Sequence, residues 1–143
     1  MSGVKLVVLA TACVFLLAGC VKSEAQPAIS AADTALDGQA QTNLHMALVA
    51  AKTYYLDGAT YTGFDPVTAQ GVEPSITFAA DQPAAANVVS IDLANGSTVV
   101  FSSKGAGDHV FCIADDAATG ATTYGHVDAV GATSPAACPG AAW

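Results

Sequence analysis

Positive charge is scarce in this chain of 143 residues: four Lys/Arg stand against twelve Asp/Glu, for a formal charge of -8. Without a basic surface to neutralise phosphates, nucleic-acid binding is excluded. Charged residues of either sign make up only 11% of the sequence. An exterior of Ala, Gly, Ser and Thr suits a displayed or assembled surface protein better than a charge-rich cytosolic enzyme. Catalytic signatures are missing too. Ser90, Ser97, Ser102 and Ser103 have no G-x-S-x-G context, and Gly105-Ala106-Gly107 leads into a strand and not into the helix that a phosphate loop needs. Asp115-Asp116 is the paired-carboxylate candidate, and at a strand end its two side chains point to opposite sides. His45, His109 and His126 do not stand at metal-ligand spacing. Asp115, Asp116 and Asp128 offer oxygens for calcium, but without EF-hand spacing they read as an Asp-rich solvated turn. We therefore expect no enzyme, no cofactor and no metal site.

Long apolar runs are limited to the start. Residues 1–20 read MSGVKLVVLATACVFLLAGC: Lys5 is a short positive region, and the apolar stretch after it is too short for a comfortable membrane span. Leu17-Ala18-Gly19-Cys20 resembles the lipobox of bacterial lipoproteins. The resemblance implies cleavage between Gly19 and Cys20, and a diacylglyceryl group on the Cys20 thiol that anchors the chain to a membrane outside the cytoplasm. The organisation expected is a signal peptide at 1–19, a lipidated tether at 20–29 containing Pro27, and one domain at 30–143.

Cysteine is also sparse. Cys13 and Cys20 belong to the leader, which leaves Cys112 and Cys138 in the domain. In an exported protein two such cysteines form a disulfide. The competing redox or metal pair lacks a C-x-x-C spacing and an adjacent His-Cys cluster.

What the domain does have is one long helix signal at residues 30–58. Leu36, Ala40, Leu44, Ala47, Leu48, Ala51 and Tyr55 recur every three or four residues, an apolar stripe on a helix. Ser30 is the expected N-cap with Asp33 in the first turn, and Asp57-Gly58 the stop, with Gly58 taking the left-handed conformation. A helix of roughly 25 residues spans nearly 40 Å, so the C-terminal half is expected to pack and the first half to project. Residues 60–74 read as a loop whose aromatics fold back on the helix. Beyond it the apolar period changes to two. Strands are expected at 75–78, 88–93 (with Val89, Ile91 and Leu93 on one face), 98–102 and 109–114, with a short fifth at 122–127. Asn95-Gly96 is the strongest hairpin signal. The sum is an α+β fold: a long N-terminal helix packed on an antiparallel meander of about four strands. A Pro/Ala/Gly tail follows, with Trp143 expected to seal the disulfide loop.

The runs ALDGQAQTNL and ALVAAKTYY, the following Asp57-Gly58 and Thr60-Tyr61, then Phe111-Cys112-Ile113-Ala114-Asp115-Asp116, Gly120, Thr122-Thr123-Tyr124-Gly125 and Cys138, keep the order and spacing of type IV pilin-like proteins. The domain resembles the actinobacterial kind, over most of residues 30–143. That resemblance implies a structural, adhesion or assembly role at the cell surface, with other pilin-like subunits or surface proteins as partners. One departure stands out: prepilins are cut before a long apolar helix that stays in the subunit, whereas here the apolar run precedes Cys20. A genuine pilin or minor pseudopilin subunit is the alternative, and a ligand-binding lipoprotein with an aromatic-lined pocket the second.

Overall fold

The computed structural model describes residues 31–80, 87–126, 138 and 140–143. The expected N-cap Ser30, and Gly19 and Cys20 with the rest of the expected leader and tether, lie outside the described residues.

Helix α1 runs Ala31–Gly58 and buries Ala40, Asn43, Leu44, Ala47, Leu48, Ala50 and Ala51 against the sheet. These positions recur at helical spacing, and the small Ala side chains let the helix approach the strands closely. Packing is therefore central, not C-terminal as expected. Leu36, at the start of the stripe, is 45% exposed and Leu56 near the end is 84% exposed. The first half does not simply project either. Asp37 accepts from the Ala106 N–H at 2.8 Å and pairs with His109 Nδ1 at 2.9 Å, which fastens this half to the sheet's rim. The left-handed residue is Ala59 (φ 51°) and not Gly58, because the last helical bond, Ala59 N–H to Tyr55 at 2.7 Å, forms one residue later.

The expected loop contains a second helix, α2, at Pro66–Val72. Asp65 caps it by accepting from Thr68 N–H at 2.8 Å, and Pro66 occupies the first turn, where a missing N–H costs nothing. Tyr61 and Phe64 fold back and are buried.

Five strands follow: β1 Thr77–Ala80, β2 Val88–Asn95, β3 Thr98–Lys104, β4 Val110–Asp116 and β5 Ala121–His126, in that order across one sheet. The expectation of a purely antiparallel sheet fails at β1, which pairs with β2 in parallel from Thr77↔Val88 to Ala80↔Ile91. Alternation of apolar residues reports which face a side chain takes, and is silent on the sense in which the strand runs. A bulge at Asp92 brings a second correction. Pairing jumps from Ile91↔Phe101 to Leu93↔Val100, so Leu93 leaves the face of Val89 and Ile91 and joins Val100, Cys112, Ala114 and Cys138. The Asn95-Gly96 signal does turn the chain: Asn95 pairs with Thr98, and Gly96 takes φ 56°.

The helix side holds the main core, which includes Leu44, Phe64, Phe101 and Ile113. The far side holds the small cluster around Cys112. The C-terminal segment joins the two. Cys138 is buried on the far side, Gly140 exchanges two backbone bonds with the edge strand at Tyr124 (2.8 and 2.6 Å), and the Trp143 indole donates to the Cys112 carbonyl at 2.9 Å. The Trp143 ring then meets His45 of α1 edge-on at 4.9 Å. The segment is a clasp around the β5 edge.

One glycine is indispensable to the rim contact. A Cβ on Gly105 would run into the Asp37 carboxylate and lie 2.7 Å from the Phe111 ring. Gly105→Ala is predicted to lower the unfolding free energy by about 1–3 kcal/mol. A urea midpoint indistinguishable from wild type would show that the rim yields freely.

Candidate functional site

Strand β4 directs Phe111, Ile113 and Asp115 to the helix side, because they stand two apart. The third of these is a carboxylate on a core-facing row, and burying it requires partners. Asp115 is 3% exposed and receives three donors: the Tyr61 hydroxyl at 2.7 Å, the Thr122 hydroxyl at 2.7 Å and the Lys52 ammonium at 2.9 Å. Burial, reinforced by the bond to Asp115, pushes the Tyr61 phenol well above its ordinary value, so Tyr61 stays a donor. Lys52 is 48% exposed and stands 3.4 Å from the Thr122 hydroxyl. It is one of two lysines in residues 31–143.

Above this cluster a recess of about 280 Å³ opens between α1 and the β4–β5 hairpin, lined by Lys52, Tyr55, Leu56, Tyr61, Asp115, Ala117 and Gly120. The Tyr55 and Tyr61 rings lie 4.7 Å apart and tilted, one aromatic wall. Asp116 turns away from the recess. Its carboxylate accepts from Ala118 N–H and Ser97 Oγ, bonds that lower its pKa and hold the β4–β5 turn. Chemically, the carboxylate is already engaged by three donors, and a proton-retaining phenol is a poor nucleophile. The arrangement offers a neutralised ion pair beside apolar walls, which is equipment for holding a guest.

Cys112 and Cys138, paired from the sequence, lie at disulfide distance with Cα atoms 5.9 Å apart, both fully buried. The histidines remain apart in role. His45 faces Trp143 and Tyr124, whereas His109 and His126 flank Phe111. Among the described residues no group of three or more His, Cys, Asp or Glu is placed to hold a metal ion. Asp128, considered with Asp115 and Asp116, lies outside the described residues.

Sequence reasoning missed Lys52, Tyr61 and Asp115 as a unit. The available signal was the row Phe111, Ile113, Asp115, an acid continuing an apolar face; what could not be read was which donors would reach it. Among the described residues no helix is long and apolar enough to cross a membrane. No protein-family model, no curated protein and no solved structure matches the chain.

Proposed function

We propose that this is a cell-envelope-anchored, surface-displayed pilin-like protein with a structural, adhesion or assembly role, held to the membrane by lipid on Cys20. The observation that carries the reading is the long α1 laid across one face of the sheet, with the C-terminal segment drawn back to β4 at Cys112 and Cys138. This arrangement supports the likeness noted in the order and spacing of the sequence. The small share of charged residues, 11%, agrees with display and with contact between subunits. Two or three acyl chains on Cys20 would anchor the protein firmly where one would bind only marginally. Other pilin-like subunits or surface proteins are the partners this role requires, and a filament or secretion-system subunit is the alternative within the same family resemblance. A ligand-binding lipoprotein is the second reading, favoured by the recess beside Tyr55 and Tyr61.

The intact mass of protein purified from membranes, compared with a Cys20→Ala variant, tests the anchor. We expect a chain that begins at Cys20 and carries a diacylglyceryl group, both lost in the variant. A mature chain with only N-methylation, or one that keeps residues 1–19, would refute the lipid anchor and favour the filament subunit.

A further inference from the structure

We propose that the recess between α1 and the β4–β5 hairpin binds a small, uncharged ring compound bearing one hydrogen-bond acceptor, with an aryl ketone as the type. Size comes first: about 280 Å³ is just below the usual range for drug-sized ligands and suits a single ring. The walls come next. Tyr55, Tyr61, Leu56 and Ala117 present apolar surface, and at Gly120 nothing lies within 4 Å of where a Cβ would be, so the mouth stays open. Charge then selects against ions. Lys52 and Asp115 neutralise each other at 2.9 Å, so an anionic guest would compete with Asp115 for Lys52 inside a chain of net charge -8. A cationic guest fares no better, because Asp115 is 3% exposed and already holds three donors. What remains is one donor. The Lys52 ammonium has three N–H groups; Asp115 and Thr122 engage two, and among the described residues the third has no protein partner and, on a side chain that is 48% exposed, is open to a guest. A neutral acceptor beside an apolar ring meets that donor and those walls together. This site does not depend on membrane anchoring or on the pilin-like role.

The test uses the full ¹⁵N-labelled chain in detergent, titrated with acetophenone, ethylbenzene and benzoate. Acetophenone should shift the amides of Leu56, Ala117 and Gly120 saturably. Ethylbenzene, which lacks the acceptor, and benzoate, which is an anion, should each bind about tenfold more weakly. Lys52→Met should bring acetophenone down to the ethylbenzene level while the remaining amide spectrum stays unchanged. Ala117→Trp fills the recess and should abolish the shifts, which separates site binding from partition into detergent; should it not fold, Lys52→Met carries the test alone. The proposal is overturned by unsaturable shifts, by shifts that persist in a folded Ala117→Trp variant, by Lys52→Met binding acetophenone as tightly as the unchanged protein, or by ethylbenzene or benzoate binding as tightly as acetophenone. A chain without lipid that binds acetophenone leaves the site standing and removes the anchor. A lipidated chain that fails to bind removes the site alone.

Discussion

Asp115→Ala is expected to lower the unfolding free energy by about 3 kcal/mol, read as a shift of the urea midpoint at constant slope. The variant strands the Tyr61 hydroxyl, which is 1% exposed, and removes bonds of 2.7 Å to Tyr61 and Thr122. Hydrogen bonds to a charged group are worth about 1.5–3 kcal/mol each, and a buried unpaired donor adds its own desolvation cost. The Lys52 contribution is discounted, because an ammonium that is 48% exposed returns to water when its partner goes. Lys52→Met is not discounted in the same way, because it leaves the buried Asp115 carboxylate with only its two hydroxyl donors, and it should cost about 1–3 kcal/mol. Tyr61→Phe, which removes one of the three donors, should cost less than Asp115→Ala. The combined Tyr61→Phe/Asp115→Ala change should cost less than the sum of its parts, since both remove the same bond. Strict additivity would mean that the 2.7 Å contact contributes nothing to stability.

The same bond sets the alkaline limit. The Tyr61 pKa is raised in the folded protein, so its contribution to stability is fully present below the unfolded value of about 10 and is lost as pH rises through the folded value. Stability should therefore decline above roughly pH 10, with a shallower decline in Tyr61→Phe. At the acid end the sign reverses. Burial alone would raise the Asp37 carboxyl, but the Ala106 N–H and His109 outweigh it and hold it below the ordinary range. That stability is present above the unfolded carboxylate value and is lost as pH falls through the folded one, and Asp37→Asn should flatten this limb.

Cys138→Ala has the second large effect, an expected loss of about 3.5 kcal/mol. With Cys112 and Cys138 separated by 26 positions in the sequence, the loop-entropy relation gives that magnitude for the cross-link. The consequence is also spatial. The clasp is held at Cys138, at Gly140 and at Trp143, so cutting the first should loosen the other two. Trp143 is the sole tryptophan, and its ring meets Tyr124 at 5.1 Å and His45 at 4.9 Å, so the change should appear as a red-shifted emission. A destabilised variant with unshifted emission would show that the last residues dock without the cross-link. An unchanged midpoint would show that the cross-link contributes no stability.

Much of this architecture was legible along the chain. Helical spacing from Leu36 to Tyr55 located α1, period-two runs located most strands, and Asn95-Gly96 located a hairpin. Setting aside Cys13 and Cys20, which fall in the expected leader, left Cys112 and Cys138 as the pair. Asp65-Pro66 could have revealed α2, since a capping acid before proline is a local signal. Each of these is written in the conformational preferences of neighbouring residues or in a period, and needs no knowledge of what lies across the core.

Tertiary structure decided the rest. Only the sheet as a whole chose a parallel β1, placed the bulge at Asp92 and turned Leu93 to the far side, because pairing sense and register depend on partners distant in sequence. Only packing brought Lys52, Tyr61 and Thr122 to Asp115, over separations of up to 63 residues. The charge on Asp115 says that partners are needed, and the fold alone says who they are. The clasp follows the same logic: Trp143 reaches His45 only after the chain has passed around β5. Local preference determines which elements form, while the requirement that buried polar groups be satisfied and apolar faces covered determines how they meet.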